Sequence, residues 1–340
     1  MAHSYDVCVL GAGPAALSVA SRLVDLGREV AVVDRSVTVR PWGGESFTAA
    51  IRAPLAALGL WEAFAEAGHV RGYERQVAWG GDPVSESTIV QPGGHMWHVD
   101  RMRFDTDFCR AVCRRDGVFL YRGKLRNIDR SATSWRLALD QGAELTARYL
   151  VDATGRSRAL AKRLGARISF HDRLIGLVTM GPADSGSFRV AAMMIQSTPF
   201  GWWYAAPVPR GRVVALFTDA DLAPPVVRQH LRPVPANSVF TDVPVEAGWL
   251  AVGDACVAHD PLCGWGVQRA MSNGILAADA INDHLRTGRV SSLAAYRDHC
   301  RQQFEDYLAG MARHYGKERR WPGAPFWARR IKGAGAEKES

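Results

Sequence analysis

At 340 residues, with 47% apolar and 22% charged residues, the chain has a globular composition and exceeds what one hydrophobic core usually supports. Its formal charge of +8 comes almost entirely from arginine, and the first lysine is Lys124. The basic residues are dispersed and form no recognisable nucleic-acid module, which argues against nucleic acid as partner; an acidic substrate, a nucleotide cofactor, an acidic protein or plain solvent would suit them. The six cysteines, Cys8, Cys109, Cys113, Cys256, Cys263 and Cys300, include no C-x-x-C pair and no metal-ligand spacing, so no metal is expected. Free thiols in a disulfide-poor chain fit the cytoplasm.

Residues 7–20, VCVLGAGPAALSVA, have the length of a signal-peptide core, but no Lys or Arg precedes them and the Gly-x-Gly-Pro break would interrupt the helix. They read better as a strand from Tyr5 to Leu10, a turn, a helix to about Leu26, and a second strand from Glu29 ending at Asp34. Leu17, Ala20, Leu23 and Val24 share one helical face. This is a dinucleotide fingerprint in its G-x-G-x-x-A form. Gly11 makes the tight turn, Gly13 admits a pyrophosphate, and Ala16 lets helix and strand approach. Pro14 and Ala15 open a helix whose free N–H groups suit phosphate, and Asp34, followed by Arg35, stands where a ribose hydroxyl is held.

A helix is expected from about Arg103, with Arg101 and Arg103 able to reach a phosphate or to lie in solvent. Strands are expected at Val118–Tyr121, Lys124–Asp129, Trp135–Leu139 and Arg148–Val151, the last leading into DATG. Four segments, 169–180, 188–197, 201–209 and 212–219, read as successive antiparallel strands of a second domain. After a proline-rich stretch, 224–235, a further strand reaches V-G-D-A, and a helix follows Gly266 with Val267, Ala270, Met271, Gly274, Ile275 and Ala278 on one face. The end of the chain, from about Ser292, reads as helical and basic. No run approaches the roughly 18 apolar residues of a membrane span.

G-A-G-P-A-A, D-R-M-R-F-D, D-A-T-G, and V-G-D-A with P-L-C-G-W-G together resemble the pattern of p-hydroxybenzoate-hydroxylase-like flavoproteins. That resemblance implies an α/β fold: a Rossmann-like FAD-binding domain of glutathione-reductase type (1–75, 99–165 and 245–290), an inserted, mainly antiparallel substrate domain (76–98 and 166–244), and a C-terminal helical segment (291–340). It implies FAD as cofactor. Gly253 and Asp254 then serve the ribityl chain, while Pro261, Gly264, Trp265 and Gly266 place a helix N-terminus at the flavin's pyrimidine edge. Arg101 becomes a flavin contact, and Asp152 and Gly155 support it.

Within this superfamily, G-G-E-S (43–46), G-W-W-Y-A-A-P (201–207) and R-R-W-P-G-A-P-F-W resemble the branch of tryptophan halogenases and flavoproteins that mature tryptophylquinone cofactors. Halogenases carry G-W-x-W-x-I-P and a pocket lysine; here Tyr204 and Ala206 depart from that motif and no lysine precedes Lys124. The resemblance therefore implies a monooxygenase acting through a C4a-hydroperoxyflavin on an aromatic substrate, either a small molecule or a tryptophan-bearing peptide or protein. Reduction would come from NAD(P)H directly or through a separate flavin reductase, since no second dinucleotide fingerprint appears. The alternatives are a halogenase, a geranylgeranyl-reductase-like double-bond reductase, and a non-catalytic flavin-bound assembly factor.

The branch places Glu45, beside Gly44, close to flavin and substrate, where a carboxylate accepts a proton from an indole N–H; holding its loop is the other reading. His259, and more weakly His98, are proton-handling or structural histidines. Trp203 and Tyr204 are ring-stacking or core residues on opposite faces of one strand. Met193 and Met194 read as core, and the stretch from Arg319 to Trp327 as a cover for the flavin domain or a docking surface.

Overall fold

The computed structural model describes residues 3–35, 46–88, 94–181 and 192–331. A seven-stranded sheet carries the first half of the architecture. His3–Leu10 lies at its centre, with Val30–Asp34 and Val118–Arg122 on one side and Glu144–Asp152 on the other, all parallel. The strands Trp135–Leu139 and Leu125–Arg130 extend it antiparallel, and Trp249–Ala251 pairs in parallel with the end of Glu144–Asp152. Val7–Leu10, Val30–Val33 and Tyr149–Val151 of the central strands are buried in the core, which is why they read as continuous apolar runs.

Helix Pro14–Asp25 packs on this sheet and against the long helix Gly266–Thr287. The helices meet at Gly274, where an added Cβ would lie 2.7 Å from the Ala15 carbonyl oxygen and 2.9 Å from Ser18 Cβ. Among the described residues no helix is long and apolar enough to cross a membrane.

A second seven-stranded sheet runs in the order Arg232–Pro235, Leu174–Gly181, Gly211–Asp219, Gly201–Val208, Ala192–Thr198, Glu74–Ala78, Val84–Ser87. Only the junction of Ala192–Thr198 with Glu74–Ala78 is parallel. The proline-rich stretch forms a short helix, Pro225–His230, and the edge strand Arg232–Pro235, the one place in a sheet where prolines cost no internal ladder bond. Two small sheets bridge the halves: Ser46–Phe47, Met96–His98 and Val70–Gly72; and Arg167–Phe170, Val239–Asp242 and Val257–Ala258.

Three expectations need correction. Segment 169–180 is not one strand: the Asp172 carboxylate accepts from the Leu174 and Ser238 N–H groups at 2.9 Å each and turns the chain between two sheets. The helix Arg101–Cys113 starts at Arg101 rather than near Arg103, because Asp100 caps it by accepting from Arg103 N at 3.1 Å. The terminal stretch does not cover the flavin domain. Phe326 and Trp327 are fully buried in the core of the second sheet, with Trp202, Phe217 and Tyr315, and Arg329 and Arg330 clamp the buried Asp219 at 2.8 Å each. The helix Ser291–Tyr315 spans both cores: Leu293, Tyr296 and Phe304 lie in the first, Tyr315 in the second. Met193 belongs to the second core, whereas Met194 is only half-buried.

Candidate functional site

The site begins where the first strand ends. Gly11 has φ +112°, donates to Val33 O at 2.7 Å, and passes so close to the next strand that a Cβ would sit 2.3 Å from Ala153 O. Only glycine accepts both that angle and that approach. Gly13 then caps helix Pro14–Asp25 in extended conformation, and among the described residues nothing lies within 4 Å of where its Cβ would point. A pyrophosphate could approach the helix N-terminus past Gly13 without meeting a described side chain, and Pro14 removes an N–H that had no helical partner in any case. Ala15 and Ala16 are buried behind it. Asp34, at the end of its strand, accepts from Ala12 N at 2.8 Å, so the carboxylate expected to bind ribose also ties down the turn. Arg35 is exposed one residue further on.

A second group of turns gathers at the same ends of the parallel strands. Asp152 is fully buried and spent on backbone: one oxygen accepts from Thr154 N and Oγ1, the other from Ala161 N. Together with Gly155 at φ +63° it shapes the DATG turn rather than facing the open space. Gly253, at φ +56°, is pressed against Ala15, whose Cβ would be 2.8 Å from an added one. Asp254 follows with its side chain partly exposed. Arg156, missed in the sequence although it directly follows DATG, fastens these turns together. Its Nε lies 3.3 Å from Asp254 Oδ2, and its other nitrogens donate to Asn237 O at 2.6 Å and His259 O at 2.7 Å.

Beyond it, Asp260 caps a tight turn through Pro261 by accepting from Leu262 N at 2.9 Å. Gly264 takes φ +67°, and the helix starts at Gly266; among the described residues no atom lies within 4 Å of a Cβ at either glycine. Trp265, between them, is exposed, with the Arg269 guanidinium 4.9 Å from its ring. Asp260 was not singled out from the sequence. It is buried, accepts from Tyr315 Oη at 2.6 Å and gives its N–H to Tyr307 Oη at 2.7 Å, and burial pushes its carboxyl up to about 6. His259 is also buried, edge-on to Tyr307. Its Nε2 is 2.9 Å from the always-protonated Arg269, so that nitrogen must accept. Burial, aided by Arg269 and Arg156, holds its pKa down at about 3. A neutral acceptor locked to an arginine is placed to position the turn, not to exchange protons near neutral pH.

Arg101 is engaged with its own helix, donating to both oxygens of Asp105 at 3.2 and 2.9 Å while its guanidinium stands 6.0 Å from the Phe47 ring. On strand Gly201–Val208, Trp202 stacks on Phe217 at 4.2 Å and donates to Tyr315 Oη at 3.1 Å. Tyr204 shares that face, and its hydroxyl meets Ser46 Oγ at 2.8 Å; Ser46 in turn pairs with His98 Nδ1 at 3.0 Å. Leu262, from the Pro261 turn, packs against the same core. Trp203 points to the opposite face, and so the structure does not bring it together with Tyr204. Gly44 and Glu45 lie outside the described residues.

The two glycine turns meet where Gly253 packs on Ala15 and Ala270, and between them they offer two helix N-termini and the carboxylates of Asp34 and Asp254, the kind of groups an extended dinucleotide needs. The FAD binding domain family matches residues 4–212. LodB of Marinomonas mediterranea, named as a FAD-dependent oxidoreductase, is 27% identical over 96% of this chain and 97% of its own length. A tryptophan 2-halogenase of Chondromyces crocatus is 24% identical over 82% of this chain and 61% of its own. Among solved structures, the peptidyl tryptophan dihydroxylase QhpG superposes with a TM-score of 0.76 at 26% identity, covering 96% of this chain and 78% of that one. The flavin-dependent halogenase CmlS does so with a TM-score of 0.81 at 21% identity, covering 96% and 67%.

Proposed function

Because the chain belongs to the FAD binding domain family and is a FAD-dependent oxidoreductase of the halogenase and monooxygenase branch, we propose that it hydroxylates an aromatic ring, an indole carried on a tryptophan side chain within a peptide or protein. The observation that carries this reading is Tyr204. It stands where halogenases of this branch have the second tryptophan of their motif, on the face that meets the Pro261 turn, with its hydroxyl held by Ser46. The absence of any lysine before Lys124 supports oxygen chemistry over halide chemistry, and the likeness to a peptidyl tryptophan dihydroxylase supports a peptide-borne ring.

Bound FAD supplies the electrons and the reaction with O2; the protein supplies position and exclusion of water. Gly11, Gly13 and the following helix hold the pyrophosphate, Asp34 the ribose, and Asp254 the ribityl chain. The N-terminus of the helix at Gly266 would offer its positive end to the flavin, and Arg156, His259 and Asp260 fix the turn that leads into it. Tyr204 and Ser46 face the substrate, and Glu45 accepts the indole N–H proton. NAD(P)H, directly or through a separate reductase, supplies the reducing equivalents.

The test is to reduce the purified holoenzyme, mix it with 18O2 and a tryptophan-containing peptide, with and without chloride, and weigh the product. Incorporation of labelled oxygen, indifferent to chloride, is the expected result. A chlorinated product would turn the assignment to a halogenase, and a product gaining hydrogen without oxygen would turn it to a reductase.

A further inference from the structure

The helix Arg101–Cys113 carries two sulfur atoms side by side. Cys109 and Cys113 lie one turn apart, both are free thiols, and their Sγ atoms stand 3.7 Å from each other. Cys109 is 9% exposed, and Cys113 is half-buried on the rim of the first core, so solvent reaches the pair from the Cys113 side. Among the described residues no group of three or more Cys, His, Asp or Glu side chains could hold a metal ion, which leaves the pair without the further ligands a structural metal needs.

Position and chemistry both suit these thiols to join. A disulfide needs its Cα atoms within about 4.4–6.8 Å, and residues i and i+4 of an α-helix are about 6.2 Å apart. Cys113 is the last residue of its helix, so the approach of the two Cβ atoms is met by tightening the end turn, with no helical residue beyond it to displace. The hydrogen bond with Cys113 lowers the Cys109 thiol to about 7, against the opposing pull of burial and of Asp34 and Asp105 nearby. A sizeable share of Cys109 is then thiolate near neutral pH, the form that reacts.

We propose that Cys109 and Cys113 form a modification site, a dithiol that hydrogen peroxide closes to an intrahelical disulfide. The Cys109 thiolate attacks one peroxide oxygen, the O–O bond breaks, and the leaving hydroxide takes up a proton to become water, so that Cys109 is oxidised to a sulfenic acid. The Cys113 sulfur then attacks the Cys109 sulfur, the S–O bond breaks, and the departing hydroxide and the Cys113 proton make a second water. Two thiols lose two electrons and one peroxide is reduced to two waters. Hydrogen peroxide is the side product of a flavoprotein that reacts with O2 and leaves its substrate unoxidised, so the oxidant arises where the protein works. The inference goes beyond the hydroxylation reading and holds whichever ring is oxidised.

Arg110 makes the test direct. Trypsin cuts after Arg103, Arg110 and Arg114, so the two cysteines fall on separate peptides, 104–110 and 111–114, that stay joined only through a disulfide. The holoenzyme is treated near neutral pH with an equimolar amount of hydrogen peroxide, remaining thiols are blocked with iodoacetamide in urea, and the unreduced digest is weighed. The expected product is the joined pair, separated again by dithiothreitol. It should form at least about fivefold faster in the folded protein than in the chain unfolded in urea, because the fold holds the sulfurs in contact beforehand. Cys113→Ser should stop the reaction at the Cys109 sulfenic acid, trapped as a dimedone adduct on peptide 104–110. Unchanged flavin absorbance and Tm show that this variant is folded; should it not fold, the wild-type digest carries the test.

Three results overturn the site: both peptides recovered apart and alkylated after peroxide treatment, oxidation confined to Cys8, Cys256, Cys263 and Cys300, or equal rates of joining in the folded and unfolded chain.

Discussion

The two halves of the molecule constrain their residues in different ways. Around the first sheet the demands fall on the backbone: at Gly11, Gly253 and Gly274 an added Cβ would lie 2.3 to 2.8 Å from a neighbour, and two of the three sit at positive φ. Around the second sheet Gly201 repeats that demand, with a Cβ there 2.1 Å from Phe217 O, and specific side-chain pairings are added to it: Trp202 on Phe217, Trp327 on Thr198 O, Tyr204 on Ser46. A backbone demand leaves a glycine at a fixed spacing. A side-chain demand leaves only a residue whose partner lies elsewhere in the sequence, on the next strand for Trp202 and more than a hundred positions away for Trp327 and Tyr204.

The sharpest way to break this comparison is Gly11→Ala. The added Cβ meets a backbone oxygen that cannot move without shifting the strand behind it, at a φ that alanine resists. Overpacking and strain together should cost on the order of 5 kcal/mol, and the purified protein should be colourless. A yellow Gly11→Ala protein with normal Tm would refute the cradle. Trp327→Ala makes the matching cut in the other half. It empties a fully buried ring site and strands the Thr198 carbonyl, for a loss of about 3–5 kcal/mol by chemical denaturation, while FAD retention below the transition should persist.

What could be read in the sequence follows the same division. Gly11, Gly13, Gly264 and the order of strands around them were legible because local geometry alone demands them. The role of Asp172 in splitting a strand was not, because its second partner is Ser238. Nor was the seat of Phe326 and Trp327, which depends on where a chain end returns over a sheet. Arg156 was within reach, since a basic residue after DATG is short enough in sequence to notice; Asp260 was not, because its meaning lies in Tyr307 and Tyr315. Ser46 lay inside the quoted G-G-E-S, but only the fold joins it to Tyr204 and His98.

The junction between the halves carries a pH signature of two opposite signs. Asp260 has its carboxyl raised from 3.8 to about 6 by burial, so it adds stability that is full below pH 3.8 and lost as pH rises through 6. His259, lowered from 6.5 to about 3, adds stability that is full above pH 6.5 and lost as pH falls toward 3. Between pH 4 and 6 the two slopes oppose each other, worth on the order of 3 kcal/mol for Asp260 and 5 kcal/mol for His259 across their ranges. Asp260→Asn should therefore make stability fall more steeply on acidification than in the wild type. His259→Asn should make it fall as pH rises over the same window. Urea midpoints at half-unit pH steps measure both; parallel curves for all three proteins would show that these groups do not titrate as their burial requires.

The smallest expected effect is the most discriminating for the substrate side. Trp203 and Tyr204 are adjacent, both aromatic and both half-buried, so composition and burial treat them alike. The strand geometry does not: Tyr204 lies on the face with Trp202 and Ala206, reaching Ser46, and Trp203 lies on the other. Trp203→Phe keeps an apolar ring at a half-buried position and should change stability by less than about 0.5 kcal/mol, with KM for a tryptophan-containing peptide altered less than about twofold. Tyr204→Phe removes one oxygen atom and should shift that KM about fivefold. If Trp203→Phe proved the more damaging to KM, the substrate would have to approach from the opposite face, and every role assigned to the Pro261 turn in shaping the pocket would need to be placed elsewhere.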